Sequence, residues 1–215
     1  MAGAGRVILV GQYDSPFVRR AGVALHIHEI AIERQILSTF AHFEDVQALS
    51  PLGKVPVLIM EDGTALPDSR AIIEHLEARG PRLAAEDMPL MLQIEAVGIG
   101  LAEKTYERGI EVSRRAQGCQ DPAWIARLEV QISAALLWLE QRAGDGYLRE
   151  DQLTRADLAA AIAVTYLAEK LPALYRAEDH PRLEAHRRFC EDLAPFQAAA
   201  FSQTEARATG WQPEA

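Results

Sequence analysis

The first 80 residues alternate between short apolar runs and amphipathic stretches. Val7 to Val10 form a β-rich apolar run closed by Gly11, the pattern of a buried strand. Ser15-Pro16 follows. Serine is a favoured N-cap and proline a favoured first helical residue. A helix is therefore predicted through about His28, with Phe17, Val18, Ala21, Ala24 and Leu25 turned inward. Ile30, Ile32 and Ile36 recur at even spacing and predict a second strand, whose alternation Arg34 breaks. Residues 41–49 read as a short helix or an irregular loop. Leu52 to Ile59 run from a loop into a strand. Asp62-Gly63 signals a two-residue hairpin, with Ala65 and Leu66 opening the returning strand. From Ser69 the spacing of Ile72, Ile73 and Leu76 predicts a helix that stops at Gly80-Pro81. The predicted order is βαβ, a loop, then ββα.

From about Pro89 the periodicity is helical. Glu95–Ile110, Trp124–Arg142, Arg155–Leu171 and Arg182–Phe189 each lack an internal proline. The breaks fall at Gly118 to Pro122, Gly144 to Gly146, Pro172 and His180-Pro181. The expectation is an α+β domain over residues 1–80, a linker at 81–88 and an all-α bundle over 89–215. The last dozen residues are expected to fray.

Charge narrows the function classes. Lys plus Arg number 22 against 31 Asp plus Glu, a net charge of −9. That balance disfavours nucleic acid and anionic membranes as partners. No segment approaches the ~20 apolar residues needed to span a bilayer. The Val7–Val10 run is shorter than a signal-peptide core, so a cytoplasmic location is expected. Cys119 and Cys190 lie far apart and have no metal-ligand spacing, which suits two reduced thiols. None of the six histidines forms an H-E-x-x-H pair, so no metal is expected.

Three places in the first half could carry chemistry. Ser15 stands at a helix mouth, where unpaired amides and about half a positive charge stabilise an anion such as a thiolate. On its own an ordinary N-cap accounts for it. Val55-Pro56 lies between a Gly-Lys loop and a strand. A cis bond there would turn the Val55 N–H and C=O outward, free to pair with an extended peptide. Asp68-Ser69 opens a helix. Ser69 is the expected N-cap, whose amides could hold a carboxylate, and Asp68 beside it could hold an ammonium. Ordinary capping accounts for this pair as well.

Taken together, the segments Tyr13-Asp-Ser-Pro-Phe-Val-Arg-Arg20, Ser50-Pro-Leu-Gly-Lys-Val-Pro-Val-Leu58 and Pro67-Asp-Ser-Arg-Ala-Ile-Ile-Glu-His-Leu76 resemble the soluble glutathione S-transferases, most closely bacterial, serine-type members. A fourth segment, Leu153-Thr-Arg-Ala-Asp-Leu158, reads as a capping box of Thr154 and Asp157 with a Leu153–Leu158 staple. It resembles the buried box of that family's second domain, where its role is folding.

The resemblance implies a thioredoxin-like domain followed by an all-α domain, a cytoplasmic homodimer and a role in detoxification. It implies glutathione as co-substrate and a small hydrophobic electrophile as second substrate. By motif position Ser15 donates its hydroxyl to the glutathione sulfur, and Val55, before a cis-Pro56, pairs with the cysteinyl part. Asp68 and Ser69 hold the γ-glutamyl end, and Lys54 approaches the glycine carboxylate. Tyr13, Phe17 and Tyr106 are candidates to line the electrophile pocket between the domains. Tyr13 also competes with Ser15 as thiolate donor, ranked second because Ser15 alone sits at the helix mouth. A partner-binding or regulatory protein on this fold, or a glutathione-dependent isomerase or peroxidase, is the alternative. A thiol oxidoreductase is disfavoured, since Ser15 stands where a cysteine would be needed.

Overall fold

The computed structural model describes residues 6–149 and 151–208. They form two compact units. The first comprises residues 6–82 together with 194–208, and the second the described residues from 83 to 193.

In the first unit, strand β1 (Val7–Val10) is followed by helix α1 (Pro16–Ile27), strand β2 (Ile32–Gln35) and helix α2 (Phe43–Leu49). Strands β3 (Val57–Ile59) and β4 (Ala65–Pro67) and helix α3 (Ser69–Glu77) complete the motif. The sheet order is β2-β1-β3-β4. β1 runs parallel to β2, with Val7 opposite Ile32, and antiparallel to β3, with Leu9 opposite Leu58. The parallel pair needs a crossover, and α1 supplies it. This is the thioredoxin-like arrangement. Leu9, Val10, Val57, Ile72 and Ile73 are fully buried between sheet and helices. Pro67 sits on the edge strand β4, where its missing N–H breaks no ladder.

The β3–β4 turn differs from the expected two-residue hairpin. The Met60 N–H reaches the Thr64 carbonyl at 2.9 Å, so Glu61, Asp62 and Gly63 all lie within the turn. Gly63 takes the left-handed conformation (φ 84°), and the Asp62 carboxylate accepts the Thr64 N–H at 2.8 Å.

The second unit is helical: α4 (Met88–Ser113), α5 (Pro122–Glu140), α6 (Arg155–Lys170) and α7 (Pro181–Glu191). Helix α4 starts within a residue of Pro89, where the helical periodicity begins, because Asp87 caps the Leu90 N–H and Pro89 is tolerated in the first turn. Helix α6 is the core of the unit. Ala156 through Leu167 are all buried, with α4 and α7 packed against it. Its start is locked by Asp157, whose Oδ2 accepts from both the N–H and the hydroxyl of Thr154 at 2.7 Å. Among the described residues no single helix is long and apolar enough to cross a membrane.

The end of the chain departs from expectation. Residues 194–208 cluster with the first unit rather than with the helical bundle to which 89–215 were assigned. They form the short helices α8 (Ala194–Ala198) and α9 (Gln203–Ala208). Phe196 is fully buried there, and Arg19 of α1 donates from Nε to the Ala199 carbonyl at 2.8 Å. Residues 204–208, expected to fray, belong to α9, where Ala206 is fully buried and Glu205 bonds Gln12 and Tyr13. Residues 209–215 lie outside the described part.

Candidate functional site

The mouth of α1 is shaped by a tight turn after β1. The Ser15 N–H closes on the Gln12 carbonyl at 3.0 Å, and Ser15 then caps the helix in extended conformation, with Pro16 in its first turn. Its Oγ accepts the Val18 N–H at 3.4 Å, a long and weak bond. The Ser15 hydroxyl is half-buried, and its proton is free to be donated outward. The Phe17 N–H, next in the first turn, has no partner among the described residues.

Gly11 brings the second motif to this turn. It adopts φ +124°, and a Cβ there would lie 2.5 Å from Val18 Cγ2 and 3.0 Å from the Val55 Cβ. Only glycine lets the backbone turn here while Val55 closes on the first turn of α1. The Val55–Pro56 peptide bond is cis. Val55 is half-buried and Lys54 exposed.

The third motif is tied to the other two. The Pro56 carbonyl accepts the Asp68 N–H at 3.2 Å. The N-cap of α3 is Asp68, not Ser69 as the sequence suggested, and its Oδ1 accepts the Arg70 N–H at 2.7 Å. Asp68 sits at φ +76°, ψ 131°, a conformation side chains rarely take and one that costs of order 1–3 kcal/mol. Ser69 is the first helical residue and is buried. Its hydroxyl accepts from Nη1 of Arg20 on α1 at 3.3 Å. Ser15, Val55, Pro56, Asp68 and Ser69 therefore share one corner of the first unit, at the amide ends of α1 and α3. The Asp68 side chain is exposed at this corner.

Tyr13 does not behave as either of its expected roles requires. It is only 6% exposed and packs its ring edge on Gly22, where a Cβ would meet the ring and hydroxyl at 2.6 Å. The Arg34 guanidinium covers the ring face at 3.4 Å from its centroid. The phenol oxygen is buried without a hydrogen bond, and desolvation holds its pKa above the ordinary value. A phenol buried against the second turn of α1 neither lines an open pocket nor meets a thiol at the helix mouth. Phe17 is half-buried on α1, while Tyr106 is 43% exposed on α4 of the second unit.

Arg20, Arg34 and Glu205 escaped the sequence reading. Arg34 had left a signal, since it is the residue that broke the alternation of β2. Arg20 lies in a double-arginine pair on an otherwise largely apolar helix. For Glu205, in a polar tail, no local signal exists.

Among the described residues one group could offer metal ligands: Asp157, His186 and Cys190, all fully buried, with ligand atoms within 4.8 Å of one another. Its hydrogen bonds are already made. Asp157 also accepts the Leu148 N–H at 2.7 Å, and His186 Nδ1 meets the Gly146 carbonyl at 2.9 Å. The Cys190 sulfur lies 3.6 Å from His186 Nε2. Burial pushes the Cys190 thiol far up and the His186 imidazole down, which leaves both neutral. The group reads as a satisfied polar knot that fixes α6 to α7.

Residues 9–83 match the family described as "Glutathione S-transferase, N-terminal domain". The "Uncharacterized GST-like protein YibF" of Escherichia coli (strain K12) is 33% identical over 206 residues, which cover 92% of this chain and 97% of that protein. A glutathione S-transferase from Methylobacillus flagellatus KT with bound glutathione superposes with a TM-score of 0.83 at 26% identity, over 91% of this chain and 100% of that one. A glutathione transferase family member from Pseudomonas fluorescens Pf-5, also with bound glutathione, gives 0.79 at 26% identity, over 91% and 99%. With the thioredoxin-like order, the corner built by Ser15, Val55 and Asp68, and a full-length relative of this similarity, the chain belongs to the glutathione S-transferase family.

Proposed function

We propose that this protein binds glutathione in the first unit and transfers it to a small hydrophobic electrophile. The observation that carries the reading is the loosely engaged Ser15 hydroxyl at the amide end of α1, in the same corner as Val55 and Asp68. A free thiol has a pKa of about 8.5, so only a few per cent is ionised at neutral pH. A donated hydroxyl proton, the Phe17 N–H and the α1 dipole all favour the thiolate. The Val55 backbone pairs with the cysteinyl peptide of glutathione. The Asp68 carboxylate holds the γ-glutamyl ammonium, and the amide end of α3 at Ser69 receives its carboxylate. Lys54, exposed on its loop, meets the glycine carboxylate. The thiolate attacks the electrophilic carbon, a C–S bond forms, and the leaving group departs with its electron pair. The protein contributes ionisation and placement. Family resemblance adds a cytoplasmic homodimer acting in detoxification.

The test is calorimetric titration of the purified chain with glutathione, followed by a screen of electrophiles. Saturable binding with turnover supports the reading. Binding without turnover of any electrophile moves the protein to the partner-binding members of the fold.

A further inference from the structure

The C-terminal helix α9 reaches the Ser15 turn through one side chain. Glu205 Oε2 accepts the Tyr13 N–H at 2.6 Å, and the Glu205 main-chain carbonyl accepts from Gln12 Nε2 at 2.8 Å. Arg34 on β2 completes the clamp. Its Nη2 donates to Glu205 Oε2 at 3.0 Å and to the Gly11 carbonyl at 2.8 Å, and its Nη1 lies 3.3 Å from Glu205 Oε1. The same guanidinium lies on the Tyr13 ring. The Arg34 and Glu205 side chains are only 21% and 15% exposed, so the pair is poorly screened by solvent. Gly11, Gln12 and Tyr13 are thus held from two sides by residues distant in sequence. The next bond along the chain is the Ser15 N–H to Gln12 carbonyl contact that sets the helix mouth.

We propose that Glu205, acting with Arg34, is a positioning residue for thiol activation: the C-terminal helix holds the Gly11–Ser15 turn so that the Ser15 hydroxyl points at the sulfur. This rests on the reading of Ser15 as thiolate donor. In this proposal Glu205 contacts neither glutathione nor the reacting atoms. It acts through the backbone of Tyr13. The carboxylate does two things that a generic tail contact would not do. It accepts a main-chain N–H of the turn, and it orients the arginine that holds the Gly11 carbonyl. The tail itself has independent anchors, the buried Phe196 and the Arg19 bond to the Ala199 carbonyl. Removing the carboxylate therefore loosens the turn while α8 stays docked. Binding of the peptide part of glutathione falls to Val55 and Asp68, which lie outside the clamp, so affinity for that part is expected to survive.

The experiment compares the parent protein with Glu205→Ala, Glu205→Gln and Ser15→Ala. Bound glutathione is titrated by the ultraviolet absorbance of its thiolate. S-methylglutathione, which has no ionisable thiol, reports affinity for the peptide part, and a thermal melt reports folding. In Glu205→Ala the thiol pKa in the complex is expected to rise by about half a unit or more. The S-methylglutathione dissociation constant stays within about twofold. Glu205→Gln keeps an oxygen for the Tyr13 N–H and loses the charge that orients Arg34, so its thiol titrates between parent and alanine variant. Glutamine also keeps the side-chain volume, so the comparison survives if the alanine variant does not fold. If the Glu205 variants titrate like the parent while Ser15→Ala is impaired, the clamp is overturned and the serine reading stands. The clamp is equally overturned if they melt lower with the thiol titration unmoved, since the tail is then structural only. A parent-like Ser15→Ala overturns the serine reading, and the clamp with it.

Discussion

Arg20 of α1 donates from Nη1 to the Ser69 hydroxyl of α3 at 3.3 Å, and both residues are buried. The contact joins two motifs that lie 49 residues apart in sequence. It gives a helix otherwise packed with Val18, Ala21, Ala24 and Leu25 a reason to carry a buried cation. The two helix starts are held together by a hydrogen bond as well as by apolar packing. Hydrogen bonds are directional, so the amide ends of α1 and α3 keep a defined relation.

Asp68 holds a strained backbone. Its φ of +76° is unfavourable for any residue with a Cβ, at a cost of order 1–3 kcal/mol. Glycine relieves that strain, loses only a few tenths of a kcal/mol as an N-cap, and adds about 0.5–1 kcal/mol of chain entropy to be lost on folding. Asp68→Gly is therefore expected to melt no lower than the parent. Asp68→Ala keeps the strain and loses the bond to the Arg70 N–H, so it should lose about 1 kcal/mol. Both variants should bind glutathione more weakly, because the ammonium loses its carboxylate. Thermal melts and calorimetry together check the pattern. An Asp68→Gly variant with unweakened binding counts against the assignment.

Gly22 and Tyr13 make a matched pair for mutation. Gly22→Ala gains about 1 kcal/mol of helix propensity. The new Cβ would lie 2.6 Å from the Tyr13 ring, whose face is already covered by Arg34. Overpacking of this kind costs about 1–3 kcal/mol, so net destabilisation is expected. Tyr13→Phe removes a buried hydroxyl that has no partner and should be neutral or stabilising. It should leave turnover unchanged, whereas Ser15→Ala should lower it by one to two orders of magnitude, roughly what one charge-assisted hydrogen bond contributes. Steady-state kinetics on the two variants separates the candidate donors.

How much of this was legible in the sequence depended on the range of the interaction. Ser15-Pro16 and Thr154-Arg-Ala-Asp157 carry their geometry within a single helical turn, and the helix starts follow. The N-cap of α3 shifted by one residue because a positive φ at Asp68 is set by the Pro56 carbonyl and the edge strand, neither of which is local. The role of Tyr13 depended on Gly22 and Arg34, and neither reveals itself until β2 and α1 are folded together. The tail was expected to fray because its sequence is polar and terminal. Its anchors are Arg19, Gln12, Tyr13 and Arg34, all brought to it by the fold. A single polar residue that breaks a strand pattern, as Arg34 does, was the one trace of that network.

Glu184 in α7 should make stability depend on acid. It is buried and accepts from Arg187 Nε and Nη2 at 2.7 Å, Arg188 Nε at 2.6 Å and the Tyr175 hydroxyl at 2.9 Å. These donors, Arg187 foremost, push its carboxyl down to about 2. The folded state then holds the proton less tightly than the unfolded chain, whose carboxyl titrates at about 4.3. The stabilisation is complete above that value and is lost as pH falls towards 2. Glu184→Gln should cost on the order of 2 kcal/mol at neutral pH. The gap between variant and parent should shrink on acidification below about pH 4. Denaturation curves across that window check it, and a gap independent of pH would contradict the arrangement.

The central claim is that Ser15 at the mouth of α1 holds the sulfur of glutathione as an anion. The most direct measurement is the pH titration of thiolate absorbance for glutathione bound to the parent protein and to Ser15→Ala. In the parent complex the thiol is expected to ionise at least about one unit below its free value of about 8.5, and in the variant to return towards that value. Superimposable titration curves for the two complexes would contradict the account.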